Sequence, residues 1–293
     1  MEMNEVIGQV RKLEISTKQL VDGLISGNYN SIFKGQGIEF SEIREYRPGD
    51  DVRGIDWKVT ARFNAPFIKE FIEERDLRVY FAFDVSGSGD FGDLVSKRRK
   101  AIELIASLMF SVTRSNDNLG MFLFSDKVER MVPAKKGKRH MIKVLSGVLN
   151  HEPVSRLTDL DNSLREISNV LKRRSVVFVV SDFLGEDFSK SLQMLKRRHD
   201  VIAINIRDSR EHELPDVGLI ELEDEETGEQ VLVDTSDASF RERYLELVKG
   251  SNSSTETMFK KLGIDMITVT TDESYDVLLR KFFRNRKRRG RTC

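Results

Sequence analysis

From Leu77 onward, short apolar runs typical of β-strands alternate with longer runs in which apolar residues have helical spacing. The strand-like runs cover residues 77–84, 119–125, 128–133, 175–181, 200–206 and 264–270. The helix-like runs cover residues 94–115, 138–149, 160–173, 187–198, 237–262 and 274–286. Alternation of this kind builds right-handed βαβ units with parallel strands. The sequence therefore predicts an α/β fold, with a doubly wound, mostly parallel sheet that carries helices on both faces.

One segment interrupts this alternation between the last two strands. The apolar runs 219–222 and 230–233 flank the turn-forming pair Thr227-Gly228. This arrangement predicts a hairpin insertion near residues 208–235. The stretch 221–229 is strongly acidic, and we expect it to form a solvated hairpin tip.

The N-terminal quarter of the chain differs from the rest in composition and in the periodicity of its apolar residues. Apolar residues in 5–25 have helical spacing, which predicts an N-terminal helix that Gly27 closes. Residues 27–75 are rich in Gly, Asn, Arg, Asp and aromatic residues and show little periodicity, so we expect an irregular segment. We therefore divide the chain into an N-terminal segment, 1–76, packed on a main domain, 77–290.

Composition excludes several classes of function. Lys+Arg and Asp+Glu both number 48, so the formal net charge is zero and no overall attraction to nucleic acid or membrane follows. The only cysteine is Cys293, which rules out an internal disulfide and fits a reducing compartment. The N-terminus lacks the pattern of a signal peptide, and no apolar run approaches the length of a transmembrane helix. We expect a cytoplasmic protein with no transmembrane segment.

The C-terminus from Arg280 onward is heavily basic. Such a run is typical of a solvated helix end, where Lys and Arg complement the helix dipole. Docking on nucleic acid or another anionic surface is the alternative for this tail. Aromatic residues between the charges are limited to Phe282 and Phe283, which we expect to pack against the sheet. No nucleic-acid partner is therefore expected.

The strand-like run 77–84 ends in a group of candidate metal ligands. Asp84, Ser86 and Ser88 follow one another at alternate positions, with glycines that loosen the turn. Ligand sites of open α/β folds form at the carboxyl ends of the strands. Three side-chain oxygens on one tight loop suit a small hard cation such as Mg²⁺, which takes about six oxygen ligands.

Further oxygen ligands are expected at the ends of other strands. The run 175–181 is almost continuously apolar, which is typical of a central parallel strand, and it is followed by Asp182. Thr158 lies in a loop just before a helix-like run, where its hydroxyl is able to face a metal ion. The sequence thus offers five candidate oxygens for one cation site at the edge of the sheet.

This order of residues resembles the metal-ion-dependent adhesion site of von Willebrand factor type A domains. The resemblance covers residues 77–286 and implies that Ser86, Ser88 and Thr158 bind the cation directly. It implies that Asp84 and Asp182 bind through water or orient the serine hydroxyls. Neutral hydroxyl ligands leave the cation under-neutralised, so its open position favours a carboxylate from a partner protein. Mg²⁺ is the expected cation, with Mn²⁺ or Ca²⁺ as alternatives.

Two other readings of these residues stay open. Asp84, Ser86 and Asp182 are all able to cap the helices that follow their strands. A metal-dependent hydrolase, such as a phosphatase with Asp84 as nucleophile, is the other alternative. The common phosphatase loop has a second aspartate where this chain has Ser86, and no histidine lies near these motifs to act as a general base. We therefore expect a protein that is not an enzyme.

Residues 35–75 carry a second, ordered signature. Its landmarks are Gly35-Gln36-Gly37-Ile38-Glu39-Phe40, Arg44-Glu45-Tyr46-Arg47-Pro48-Gly49-Asp50-Asp51, Arg53-Gly54-Ile55-Asp56-Trp57, Ala61-Arg62 and Lys69-Glu70-Phe71. The signature resembles that of the bacterial family known as domain of unknown function 58, in which it precedes a type A domain. The resemblance implies an association with AAA+ ATPases of the MoxR class, in which such proteins act as adaptors in chaperone-like assembly or maturation.

The residues of this signature allow two interpretations. Arginines and carboxylates alternate around two aromatic residues, and the candidate positions are Arg44, Tyr46, Asp50, Arg53, Asp56, Trp57 and Arg62. Bidentate arginine–carboxylate pairs are able to fix an irregular segment that lacks periodic packing. The alternative is an acceptor surface for a partner protein or a phosphate. We favour the structural interpretation.

Overall fold

The computed structural model describes residues 39–63, 65–72, 77–90, 96–211, 214–224 and 226–289, together with the helical positions Gly8 and Leu13. The chain divides into two compact units, one of Phe33–Leu77 and one that includes the residues from Arg78 onward. The N-terminal helix expected over residues 5–25 lies outside the described residues, apart from Gly8 and Leu13. The proposed division into 1–76 and 77–290 stays a prediction.

The larger unit is built on a six-stranded sheet. Its strands are β3 (Arg78–Asp84), β4 (Asn118–Phe124), β5 (Val128–Lys135), β6 (Val176–Ser181), β7 (Asp200–Arg207) and β10 (Asp265–Thr270). They lie in the order β10-β7-β6-β3-β4-β5. All neighbours are parallel except the edge strand β5, which runs antiparallel to β4. The predicted doubly wound, mostly parallel sheet is confirmed.

Helices follow the strands as the apolar spacing predicts. They are α2 (Lys97–Arg114), α3 (Lys138–Leu149), α4 (Leu160–Val170), α5 (Ser189–Arg198), α6 (Ala238–Leu262) and α7 (Tyr275–Arg289), after the short α1 (Trp57–Phe63) of the smaller unit. Their ends carry the expected signals. Ser96 and Asp159 accept hydrogen bonds from backbone amides at the starts of α2 and α4. Gly263 ends α6 with a positive φ of 61°, which a residue without a Cβ adopts at low cost.

The core lies on both faces of the sheet. On one face, Tyr80 and Phe122 pack with buried leucines of α4 and α5 and with Phe259 of α6. Successive strand residues alternate between faces, so Phe81 and Phe178 point to the other side. Their rings stack at 5.1 Å. All six residues of β6 are buried, which explains its continuous apolar run.

The order of the strands creates one special position. The chain moves outward from β3 through β4 to β5, then returns to β6 and continues in the other direction through β7 to β10. The order therefore reverses between β3 and β6, and side chains at the carboxyl ends of these two strands face a crevice. Asp84 ends β3 and Ser181 ends β6. The fold thus brings the two apolar runs with polar ends together.

Two smaller elements complete the described chain. The expected insertion is a hairpin of β8 (Leu219–Glu223) and β9 (Gln230–Asp234). In the smaller unit, β1 (Glu39–Glu45) and β2 (Phe67–Ile72) form an antiparallel pair, joined by a 3-10 helix (Val52–Gly54) and α1. That segment is more regular than its sequence predicts. Among the described helices, none has the length and apolar character that crossing a bilayer requires.

Candidate cation site at the carboxyl edge of the sheet

Asp84 is the centre of the predicted site. Its side chain is buried, and each carboxylate oxygen accepts one hydrogen bond. The amide of Ser86 donates to Oδ1 at 3.1 Å, and the hydroxyl of Ser181 donates to Oδ2 at 2.8 Å. The Ser86 and Ser88 hydroxyl oxygens lie 3.2 Å apart. The Asp-x-Ser-x-Ser loop therefore gathers its three predicted ligands, and β6 adds the hydroxyl of Ser181, which the sequence analysis did not include.

The loop that carries Thr158 lies against this group. The amide of Gly87 donates to the carbonyl oxygen of Arg156 at 2.9 Å. Asp159 caps α4 directly after Thr158, and its own amide donates to the carbonyl oxygen of Ser125 at the end of β4. These contacts hold Thr158 beside the serine loop. Its side chain is half-buried and donates to a glutamate of the β8–β9 hairpin.

Glu129 on β5 fixes the shape of that loop. Its Oε1 accepts from the hydroxyl of Ser125 at 2.6 Å and from the amides of Val154 and Ser155 at 3.1 and 3.3 Å. Its Oε2 lies 2.6 Å from Nε2 of His151. Burial opposes the charge on Glu129, but these hydrogen bonds outweigh it and lower the pKa of the carboxyl. Glu129 is a positioning residue that the sequence analysis missed, since its partners lie in other elements.

Asp182 follows Ser181 and has an ion-pair partner that was not foreseen. Nζ of Lys97 donates to Oδ2 of Asp182 at 2.9 Å and to Oε1 of Glu211 at 2.6 Å. The side chains of Lys97 and Asp182 are only 4% and 7% exposed. Lys97 opens α2 and shares its buried face with Lys100, Ala101 and Leu104. Helical spacing therefore contained a signal for this buried lysine, one that we did not use.

These groups border one small cavity. Its polar lining includes Asp84, Ser88, Lys97, Ser181 and Asp182. The predicted ligands from β3 and β6 therefore converge. The same lining places Lys97 next to the carboxylates of Asp84 and Asp182. The phosphatase alternative requires such a lysine, and the sequence analysis did not find it.

Electrostatics at this edge follow from burial. Burial and, secondly, the negative charge of Asp182 raise the pKa of Asp84 to about 7, although hydrogen bonds from Ser86 and Ser181 favour the ionised form. Burial opposes the charge on Lys97, but Asp182 and Glu211 outweigh it, so its pKa is raised. The ammonium of Lys97 thus bridges the carboxylates of Asp182 and Glu211 and offsets part of their negative charge.

The donor set fits a hard divalent cation. Every predicted ligand offers oxygen, which Mg²⁺, Mn²⁺ and Ca²⁺ prefer. Asp84 and Asp182 interact unfavourably as charges, so added positive charge is favourable there. Within the described part of the chain, no three His, Cys, Asp or Glu side chains group as metal ligands. The predicted site therefore combines two carboxylates with the hydroxyl groups of two serines and one threonine.

The signature residues of the smaller unit separate into two groups. Arg44 and Asp50 form a bidentate pair with N–O distances of 2.7 and 2.9 Å. The Arg44 guanidinium and the Arg47 amide lower the pKa of Asp50 to about 2. Asp56 caps α1 by accepting from the amides of Lys58 and Val59. These contacts agree with the structural interpretation.

The other signature residues lie nearer the surface of that unit. Trp57 is 70% exposed. Arg53 and Arg62 are exposed, and Tyr46 is half-buried with its amide bonded to the carbonyl oxygen of Pro66. The first part of the signature, residues 35–38, lies outside the described residues. Trp57 and Arg62 therefore suit the alternative interpretation better than Arg44, Asp50 and Asp56 do.

The strand order, with its antiparallel edge strand, and the Asp-x-Ser-x-Ser loop at the reversal point define a doubly wound, mostly parallel α/β domain with a polar site at the carboxyl ends of its strands. Residues 42–254 match the family described as "Protein of unknown function DUF58", and the chain belongs to this family. A relative in Mycobacterium tuberculosis, "Uncharacterized protein Rv1480", is 30% identical over 283 residues, which cover 95% of this chain and 89% of the relative. The family predicted from the signature is confirmed.

Two solved structures resemble the chain. One is an aerotolerance-related membrane protein from Bacteroides fragilis, with 14% identity, a TM-score of 0.48, and coverage of 73% of this chain and 99% of that one. The other is the conserved hypothetical protein BatB from Bacteroides thetaiotaomicron, with 15% identity, a TM-score of 0.46, and coverage of 74% and 100%.

Proposed function

We propose that the chain is a non-enzymatic interaction module that binds an acidic side chain of a partner protein through a divalent cation. One observation supports this most strongly: Asp84 bonds to both Ser86 and Ser181, and it shares a cavity with Ser88 and Asp182. These residues come from two strands that are far apart in sequence and adjacent in the sheet. Helix capping alone does not require such convergence.

In this proposal, the hydroxyl and the carboxylate side chains of the site have different roles. Ser86, Ser88 and Thr158 would hold the cation through their hydroxyl oxygens, while Asp84 keeps the serine loop in place through the Ser86 amide. Asp182 contributes negative charge, part of which Lys97 already compensates. A bound cation would supply a positively charged acceptor for a carboxylate. Hydroxyl ligands carry no charge, so they leave that acceptor strong.

The finer part of the proposal concerns the partner and the compartment. The resemblance stated in the sequence analysis implies an adaptor that works with a MoxR-class AAA+ ATPase in chaperone-like assembly or maturation, and we include this role in the proposal. The solitary cysteine, which fits a reducing compartment, supports a cytoplasmic location. A pull-down of such an ATPase from bacterial extract, with and without chelator, tests this part separately from the cation site.

The cation site itself is tested by calorimetric titration with MgCl₂ and MnCl₂. We expect binding by the wild-type chain and its loss in the double variant Ser86→Ala/Ser88→Ala. Ser253→Ala is the matched control, because Ser253 is an exposed serine on α6. Wild-type affinity in the double serine variant would refute the cation site. Unchanged folding of each variant is checked by circular dichroism.

A second candidate function is a metal-dependent phosphatase, and Lys97 is the observation that favours it. A buried ammonium beside Asp182, in the cavity that Asp84 also lines, is the kind of group that stabilises a transferring phosphoryl. A screen of phosphate esters with Mg²⁺ separates the two functions. Turnover that disappears in Asp84→Asn would replace the interaction function by the enzymatic one.

The third candidate, binding of an anionic surface by the basic C-terminus, has less support. Arg286 of α7 is engaged in ion pairs with Asp200 and Asp265. Phe283 is buried, as its predicted packing requires. The side chains from residue 287 onward lie outside the described set. Absence of salt-sensitive binding to DNA or RNA would remove this candidate.

A further inference from the structure

The β8–β9 hairpin places a carboxylate on one of the predicted cation ligands. The hydroxyl of Thr158 donates to Oε1 of Glu226 at 2.6 Å, and the amide of Thr158 donates to Oε2 at 3.2 Å. Both oxygens of the carboxylate are therefore directed at one residue, 68 positions earlier in the chain. A two-point contact of this kind fixes the orientation of a carboxylate as well as its position.

The hairpin tip is shaped to present Glu226. Oδ1 of Asp224 accepts from the amides of Glu226 and Thr227 at 2.8 and 3.0 Å. The amide of Gly228, which has a positive φ of 72°, donates to the carbonyl oxygen of Asp224 at 2.7 Å. These bonds fix the backbone of Glu226, Thr227 and Gly228 relative to Asp224.

Glu226 differs from the other acidic residues of the hairpin that the structure describes. Glu221, Glu223, Asp224 and Glu229 are exposed, as expected for a solvated tip. Glu226 is half-buried and is directed inward. Among the described residues of 221–229, the prediction of a solvated tip is therefore wrong at Glu226. Local sequence could not distinguish it, because Thr158 lies in a different element.

The contact is compatible with a cation at the same place. A threonine hydroxyl donates one hydrogen bond and has lone pairs that remain available as acceptors or ligands. Thr158 is therefore able to donate to Glu226 while its oxygen faces the serine loop. Because the carboxylate of Glu226 is bonded to one of the proposed cation ligands, it would adjoin a cation held there, as a partner's carboxylate would.

We infer that Glu226 is an intramolecular ligand of this site and that an acidic side chain of a partner protein must displace it to bind. This inference rests on the proposed function, since it assigns regulation of the same cation site. The internal carboxylate and the incoming one belong to the same chemical class, so they compete for one position. The β8–β9 hairpin would then act as a built-in competitor that sets the threshold for partner binding.

Competition by Glu226 would weaken the apparent affinity of the site for an external carboxylate. The apparent dissociation constant of an external ligand equals its intrinsic value divided by the fraction of molecules whose site is open. If the closed hairpin is favoured by about ten to one, removal of Glu226 tightens binding about tenfold. The probe is a capped tripeptide, acetyl-Gly-Glu-Gly-amide, titrated into the full chain with MgCl₂ and followed by NMR chemical shifts. The capped Gly-Gln-Gly peptide controls for binding without a carboxylate.

Two variants form a matched pair. Glu226→Ala removes the proposed internal ligand, whereas Glu229→Ala removes an exposed carboxylate of the same hairpin with the same change in charge. We expect about tenfold tighter binding of the Glu peptide by Glu226→Ala and wild-type affinity in Glu229→Ala. Amide hydrogen exchange supplies a readout without any ligand. Exchange at Thr158 should accelerate only in Glu226→Ala.

The outcomes separate this inference from the proposed function. Equal, Mg²⁺-dependent affinity in wild type and Glu226→Ala overturns the internal ligand and leaves the cation-dependent module intact. No Mg²⁺-dependent binding of the Glu peptide, even in Glu226→Ala, overturns the proposed function and the internal ligand together. Equal exchange at Thr158 in all three proteins shows that the contact does not persist in solution, and it also overturns the inference.

Discussion

Lys97 offers the sharpest test of how the site is held together without a cation. Its Nζ bridges Asp182 and Glu211, and its side chain is only 4% exposed. The substitution Lys97→Met keeps most of the volume and removes the charge. Asp182 would then be left as a buried carboxylate without a cationic partner. Glu211 is 24% exposed, so water compensates much of its loss.

The magnitude follows from this difference in burial. Removal of one partner from a buried ion pair typically costs about 3–5 kcal/mol, because the remaining charge is desolvated. Because water solvates the partly exposed Glu211, we expect a loss of stability at the lower end of this range, about 3 kcal/mol. For a domain of this size, each kcal/mol corresponds to roughly 2–4 °C in Tm. We therefore expect Tm to fall by about 6–12 °C in buffer that contains chelator.

The assay is urea and thermal unfolding of the full chain, followed by circular dichroism. Lys143→Met is the control, because Lys143 is an exposed lysine on α3, and we expect a change within about 0.5 kcal/mol. The double variant Lys97→Met/Asp182→Asn removes the unpaired charge and should recover most of the loss. A loss under about 0.5 kcal/mol in Lys97→Met, or no recovery in the double variant, would refute the reasoning.

Three further predictions concern the surroundings of the site. The pKa of Glu129 lies below its ordinary value of 4.5, so the ionised carboxyl contributes fully to the free energy of unfolding above pH 4.5. This contribution is lost as the pH falls through the lowered pKa of the folded protein. Glu129→Gln should therefore flatten the loss of stability on acidification, measured by urea unfolding from pH 3 to 7. A Cβ on Gly120 would lie 2.3 Å from the Tyr80 ring, so Gly120→Ala should destabilise by about 1–3 kcal/mol, whereas a Cβ on Gly250 meets no atom within 4 Å, so Gly250→Ala should stabilise α6 slightly. Asp56→Ala should cost about 1 kcal/mol through loss of the α1 cap, in chemical unfolding of the full chain.

Each of these has a contrary outcome. An acid transition in Glu129→Gln as steep as that of the wild type would contradict the fixed carboxylate. Equal stability of the two alanine variants, at Gly120 and Gly250, would contradict the close approach of the Tyr80 ring. Normal stability of Asp56→Ala, combined with loss of a partner in a pull-down, would assign the signature to binding instead of structure.

The fold was predictable because its signals are local. Apolar runs such as 175–181 reveal strands within a few residues, and the helix ends are marked by caps such as Ser96 and Gly263. The pair β1–β2 was missed for a local reason as well. The segment 39–45 mixes charged and apolar residues and contains a register shift, so it lacks the alternation typical of a strand.

The site was predictable only in part, because its charges pair over long distances in sequence. The motif and the strand ends gave Asp84, Ser86 and Asp182, which the topology brings to one edge. Lys97 and Glu211 are separated by 114 positions, and Thr158 and Glu226 by 68. No pattern within one element reports such a pairing. It requires the crossovers of the sheet and the placement of the hairpin to be known.

In the proposed site, two internal ions of opposite sign affect two different binding steps: Lys97 affects binding of the cation, and Glu226 affects binding of the partner's carboxylate. Lys97 neutralises Asp182 from α2, so a cation has to compete with an ammonium for part of the negative charge. Glu226 bonds to Thr158 from the hairpin, so an incoming carboxylate has to compete with an internal one. Lys97→Met should therefore tighten Mg²⁺ binding in calorimetric titration, while Glu226→Ala should tighten the Glu peptide without tightening Mg²⁺. If both variants changed Mg²⁺ affinity in the same direction, the two ions would act on the same step, and this separation of roles would be wrong.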